Sequence, residues 1–199
     1  WSDKMKKANF YKRLVAYMID MFIVGLVISI ISYNFDTTRL EKLSDKSIKL
    51  MNSFTNGDIS SDKYFSEYTD ILYKVNKANI NSNLLSLVIY VGYFVLFQFF
   101  NGGATIGKKL LKIKVVSQGG GEVSLWQMVV RTSIINGIVP LALSLILIFT
   151  TSGLVFLTLS SIVGLFENIF VIICVFMLLY KSNCLALHDI MSKSVVIES

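Results

Sequence analysis

Apolar and polar stretches alternate along this 199-residue chain on a scale much longer than one helical turn. From Leu14 to Tyr33 the residues are almost wholly apolar, with one carboxylate, Asp20, inside the run. At 1.5 Å per residue this predicts a helix of roughly 30 Å, the thickness of a bilayer's hydrocarbon core. A second apolar run covers Leu84 to Phe100, and from Gln127 to Tyr180 the chain is nearly continuously apolar, too long for one span and right for two with a tight connection. We place the third span near Arg131 to Phe149, kinked at Pro140, and the fourth near Ser160 to Tyr180. Thr150 to Gly153 is the expected break, with Leu154 to Leu159 available to extend the fourth helix.

The fold class expected from this pattern is an all-α membrane protein of four transmembrane helices. A small cytoplasmic β-hairpin and an extracellular helical insert complete it. Its segments are 1–33 (basic N-terminus and first span), 34–83 (insert), 84–100 (second span), 101–130 (Gly/Lys turn and hairpin), 131–180 (third and fourth spans) and 181–199 (cytoplasmic tail).

The insert carries seven basic and seven acidic residues. Leu40, Leu43, Leu50 and Phe54 recur at helical spacing, as do Tyr64, Tyr68, Ile71, Leu72 and Val75 behind an N-cap at Ser60 or Ser61. Asn56-Gly57-Asp58 supplies the turn of a helical hairpin, which either caps the membrane domain or binds a partner. After the second span, Leu111 to Val116 alternates with period two, and Gly119-Gly120-Gly121 offers a return toward Glu122-Val123-Ser124, predicting a hairpin. The tail Ser194 to Ile197 also has strand composition and offers a partner for the exposed edge.

Composition supports the membrane reading: 54% hydrophobic residues, one proline and a mean hydropathy of +0.63 are too apolar for an ordinary soluble domain. The net charge of +6 does not call for nucleic acid, because the basic residues crowd beside spans: Lys4, Lys6, Lys7, Lys12 and Arg13 at one end, and five more between Gly102 and Arg131. That density puts both termini on the cytoplasmic side and the insert outside, although the long insert itself carries seven Lys or Arg. The expected surroundings are therefore the lipid bilayer, with a homo-oligomer or a membrane protein as partner.

Asp20 opposes insertion by roughly 2.5–3.5 kcal/mol, against roughly 3–7 kcal/mol from eleven Leu, Ile, Val and Phe side chains, so the helix still inserts. Such a carboxylate marks an ion or proton path or else a buried pair that fixes helix packing. Arg13 shares its helix face but leans away along the axis, so each needs a partner from another helix. The run Gly102 to Lys109 nearly matches a phosphate-binding loop, but Lys109 replaces the hydroxyl and a membrane helix replaces the preceding strand, so nucleotide binding is rejected.

In their order, these residues resemble the RDD family of prokaryotic membrane proteins, named for one arginine and two aspartates. Arg13 and Asp20 match the arginine and first aspartate, and Gly103-Ala104-Thr105-Ile106-Gly107-Lys108 is similar to the family's G-x-T-x-G-K stretch. Arg131 falls where such proteins often carry an arginine, and His188-Asp189 with Val195-Val196 resembles the closing motif, Ser194 replacing the usual threonine. The resemblance implies a multi-pass protein of a prokaryotic cell membrane for which cation/proton transport has been suggested.

The expected charge network joins Arg13, Asp20, Arg131 and Asp189, paired as Asp20 with Arg131 and Arg13 with Asp189. Secondary candidates are Glu167 within the fourth span, the lone His188, Thr105 and Lys108. One histidine and two cysteines ten residues apart, Cys174 and Cys184, supply no metal-ligand spacing, and no cofactor motif appears. No nucleophile–base set has recognisable spacing, so an enzyme is not expected. Two functions remain: a small transporter coupling protons to a cation through Asp20, or a non-transporting accessory or scaffold subunit that binds a partner through its insert or its transmembrane face. A hydrated Asp20 favours the first and a sealed one the second.

Overall fold

A computed structural model describes residues 6–180 and 184–199, with the Ile134 side chain left aside; Lys4, counted above in the basic N-terminus, lies outside this range. The chain is mostly helical, with three helices long and apolar enough to cross a membrane, or four if one bent pair is counted as a single span. Helix α1, Phe10–Ser32, is the first span, and the Asn9 side chain caps it by accepting the Lys12 N–H at 2.9 Å. Helices α2 (Thr38–Thr55) and α3 (Ser61–Ala78) form the hairpin, with Ser60 as N-cap and Gly57 at φ +79° in the turn between them. Tyr64 stacks on Phe54 and Tyr68 within the hairpin. The hairpin also rests on the membrane domain. The Tyr73 hydroxyl donates to the carbonyl oxygens of Ile148 and Thr151, and its ring meets Phe156 edge-on.

The second span begins earlier than Leu84, at Ile80, and runs to Phe100 as α4 (Ile80–Tyr90), a π-helical stretch (Val91–Phe97) and α5 (Gln98–Phe100). The short helix α6, Ile106–Leu110, lies against α1. At the place of the expected third span stands a bent pair, α7 (Leu125–Ile135) and α8 (Ile138–Thr150), which meet at 72°. The bend falls at Asn136-Gly137, where Gly137 takes φ +69°, and not at the expected Pro140. Pro140 sits instead in the first turn of α8, where its missing N–H costs nothing. Helix α9, Gly153–Tyr180, takes in Leu154 to Leu159 and is 28 residues long. That is about 42 Å of helix, enough to tilt or to project beyond the hydrocarbon.

The expected hairpin at 111–124 does not form. Strand β1, Ile113–Ser117, pairs antiparallel with the tail strand β2, Ser194–Glu198, setting Val115 opposite Val196 and Val116 opposite Val195. The glycine turn closes on itself, Gly120 donating to Ser117 O, and Val123 is buried in the core instead of entering a strand. Both edges of the sheet are covered. Residues 6–8 bond alongside β2 (Ala8 N to Val196 O, 3.0 Å; Glu198 N to Lys6 O, 2.9 Å), and the Gly103 carbonyl takes the Val115 N–H at 3.0 Å. The period-two pattern is realised as a core face: Ile113 and Val115 join Ala8, Ala16, Val95, Met128 and Val196 in the main apolar cluster. This cluster sits where the two described ends of the chain meet. Few span residues are buried within the chain, only 6% of the apolar window of α9, so the apolar faces need hydrocarbon around them.

Candidate functional site

The sheet, α10 (Leu187–Met191) and the first turn of α1 bring the charged residues together at one end of the bundle. Asp189, fully buried on α10, is the hub. Its Oδ2 accepts from Arg13 Nη1 at 2.7 Å and from the Ala186 amide at 3.0 Å, while Oδ1 accepts from Arg131 Nη1 of α7. Each guanidinium is satisfied further. Arg13 donates through Nε to Ala8 O at 3.1 Å and through Nη2 to Cys184 O at 2.8 Å; Arg131 donates to Ser194 Oγ at 2.8 Å. One carboxylate thus ties together the start of α1, the middle of α7, α10 and β2. Within a buried pair, removing a single partner strands an uncompensated charge, which is what makes such a hub hold its elements in one arrangement. The two arginines hold the Asp189 carboxyl below the usual carboxylate range, against the effect of burial.

His188 stands beside Arg131, its Nε2 3.4 Å from the guanidinium and its Nδ1 3.4 Å from Cys174 Sγ. Burial, reinforced by the arginines, pushes the imidazole down to about 3, so it is neutral at pH 7. Its Nε2 also lies 3.4 Å from Asp189 Oδ1, so the neutral ring faces a donor and an acceptor on one side and a thiol on the other.

Asp20 does not join this hub, and its expected partner Arg131 is occupied by Asp189. Asp20 is 1% exposed and receives three donors: Tyr93 OH at 2.6 Å and Gly107 N at 2.8 Å on Oδ1, and Thr105 Oγ1 at 2.5 Å on Oδ2. The arrangement caps α6. Thr105 is the N-cap and takes the Lys108 N–H at 3.4 Å, Asp20 takes that of Gly107, and Tyr93 OH takes that of Ile106 at 3.2 Å. All three leading N–H groups of α6 are satisfied, and a carboxylate sits at the positive end of the helix. The two glycines of the stretch are required by close approach. A Cβ on Gly107 would lie 2.3 Å from the Ala16 carbonyl oxygen, and one on Gly103, at φ +83°, would lie 2.2 Å from that of Val115. Tyr93, unmarked in the sequence among its aromatic neighbours, falls within the π stretch, which rotates its hydroxyl to Asp20.

Lys108 is half-buried between the two clusters and makes no ion pair or hydrogen bond through its ammonium among the described residues. Burial first, then Arg131, push it down to about 7, with Asp20 and Asp189 opposing. Glu167 belongs to neither cluster and lies in the middle of α9. Its Oε1 faces the α7–α8 break, 3.2 Å from where a Cβ on Gly137 would stand. It too makes no ion pair or hydrogen bond among the described residues.

The model of the RDD family matches residues 7–193. The chain belongs to the RDD family. Among curated proteins, the uncharacterized protein YxaI of Bacillus subtilis (strain 168) is 30% identical over 137 residues, 67% of this chain and 80% of that protein. No solved structure matches. In this RDD protein the arginine and the second aspartate form one ion pair, Arg13 with Asp189, shared with Arg131. The first aspartate, Asp20, serves a separate cap.

Proposed function

We propose that this RDD membrane protein is a non-transporting accessory or scaffold subunit whose polar network locks its spans and tail in one arrangement. The observation that carries this reading is Asp20. A carboxylate that shuttles protons must meet water in part of its cycle, whereas this one is sealed, has both oxygens engaged by protein donors and completes a helix terminus. The positive-inside bias supports cytoplasmic termini and an insert on the outer face. There the hairpin presents Ile48, Met51 and Phe65, each more than half exposed, as an apolar surface for a membrane-protein partner or a second copy. The test is site-specific photo-crosslinking in native membranes from position 51, with position 46 as control. A crosslink of fixed mass that Phe65→Asp abolishes is the expected result; a chain that crosslinks to nothing and runs alone in mild detergent overturns the reading.

A second reading, transport of a cation against protons, draws support from a different place. Broken spans line the sites of many secondary transporters, and here the α7–α8 break faces Glu167 halfway along α9. Beside it Asn136 is 8% exposed and its side chain makes no hydrogen bond among the described residues. On this reading Glu167, not Asp20, carries the proton. Cation-driven proton flux in proteoliposomes that Glu167→Gln abolishes is then expected, and equal flux in the two proteins ends the reading.

A further inference from the structure

Two spans have ends that meet beside the insert: α8, which closes at Thr150, and α4, which begins at Ile80. Between them opens a cavity of about 420 Å³ whose lining includes Asp36, Arg39, Lys77, Ile80, Asn81 and Phe149. Its walls divide by chemistry. Ile80 and Phe149 are terminal residues of membrane-spanning helices, Phe149 being 72% exposed, so this side meets hydrocarbon. Arg39 and Lys77 belong to the insert helices α2 and α3 and bring two cations to the opposite side. Neither makes an ion pair or hydrogen bond through its side chain among the described residues. The one acid of the lining, Asp36, accepts the Thr38 N–H at 2.9 Å and stays ionised, so the two cations outweigh it by one charge and neither is ion-paired with it.

A concave site with two unpaired cations on the water side and an apolar wall on the membrane side matches an amphiphile whose anionic group sits at the interface. We propose that this cavity seats the phosphodiester headgroup of a membrane phospholipid. Arg39 and Lys77 bind the phosphate, Asn81 binds the glycerol or ester oxygens, and an acyl chain runs along Ile80 and Phe149. The bound lipid joins the base of the insert to the membrane domain, whichever of the two functional readings holds.

The test is titration of the purified full-length chain in nonionic detergent with phosphatidylglycerol, reading the lipid-bound fraction by native mass spectrometry. One lipid per chain binds tightly, and the double variant Arg39→Gln/Lys77→Gln weakens it on the order of 10- to 30-fold. Both side chains are exposed and unpartnered, so the variant keeps the wild-type melting temperature in the absence of lipid. The control pair Lys46→Gln/Lys49→Gln, on the same hairpin but outside the cavity lining, leaves binding unchanged. Undiminished binding in the first variant, equal weakening in the control pair, or displacement of the lipid by inorganic phosphate each overturns the proposal.

Discussion

Asp20 and Glu167 are both carboxylates in apolar helices, and the structure treats them in opposite ways. Asp20 receives three protein donors within 2.8 Å and is closed off from the surface, whereas Glu167 faces a break in the neighbouring span and receives none among the described residues. An acid's position along a membrane helix therefore does not set its role; the supply of donors from neighbouring elements does. A carboxylate whose hydrogen bonds are complete is part of the architecture. One without them takes up a proton or a cation, or finds water.

The Asp189 hub sets the upper limit of what a completed network contributes. Asp189→Ala leaves Arg13 and Arg131 buried without their counter-ion and costs about 3–5 kcal/mol. Thermal melts in detergent check this, and a variant that melts with the wild type removes the hub from the account. Next comes the Asp20 cap. Asp20→Ala removes the carboxylate that completes the cap and costs about 1.5–3 kcal/mol in all, and Gly107→Ala, which forces α6 off the Ala16 carbonyl, costs about 1–3 kcal/mol. If Gly107→Ala is neutral, the contact of α6 with α1 is looser than described.

Acid titration sharpens the comparison further. His188 is held neutral, its value depressed from 6.5 to about 3, so between these pH values the unfolded chain binds more protons than the folded one. Stability therefore falls as pH drops from about 6.5, by at most about 1.4 kcal/mol per pH unit. Asp189, also depressed, adds stability that is present above its ordinary value of 3.8 and is lost as the pH falls below it. His188→Gln is expected to flatten the melting-temperature profile above pH 4 and leave the steeper acid limb. An unchanged upper slope would assign it to another group. The smallest effect belongs to Glu167→Gln, which breaks no bond among the described residues and shifts stability by no more than about 0.5 kcal/mol. A loss as large as that of Asp20→Ala would erase the distinction between the two acids.

Much of this arrangement is legible residue by residue. The lengths of the apolar runs locate the spans, Ser60 and Asn56-Gly57 mark the hairpin, and Arg13, Asp20, Thr105, Gly107, Arg131 and Asp189 stand out by type and spacing. The pairing among them is not legible, because two arginines and two aspartates allow more than one matching and only the path of the chain selects one. Arg131 reaches Asp189 because β2 returns beside β1 and carries α10 with it. Tyr93 carries no signal of its own, since only the π stretch turns it toward Asp20. At the bend, Asn136-Gly137 is a turn signal that Pro140 obscures, although a proline in a helix's first turn bends nothing.

The sequence by itself determined that the chain is a membrane protein, which apolar runs are long enough to cross and which polar residues are too costly to be incidental, because transfer free energy adds up along the chain and needs no partner. Tertiary structure alone decided which acid meets an arginine, which meets a helix terminus and which is left facing a break. Hydrogen bonds and ion pairs act over about 3 Å, and only the packed fold brings residues as distant as 13 and 189 to that separation.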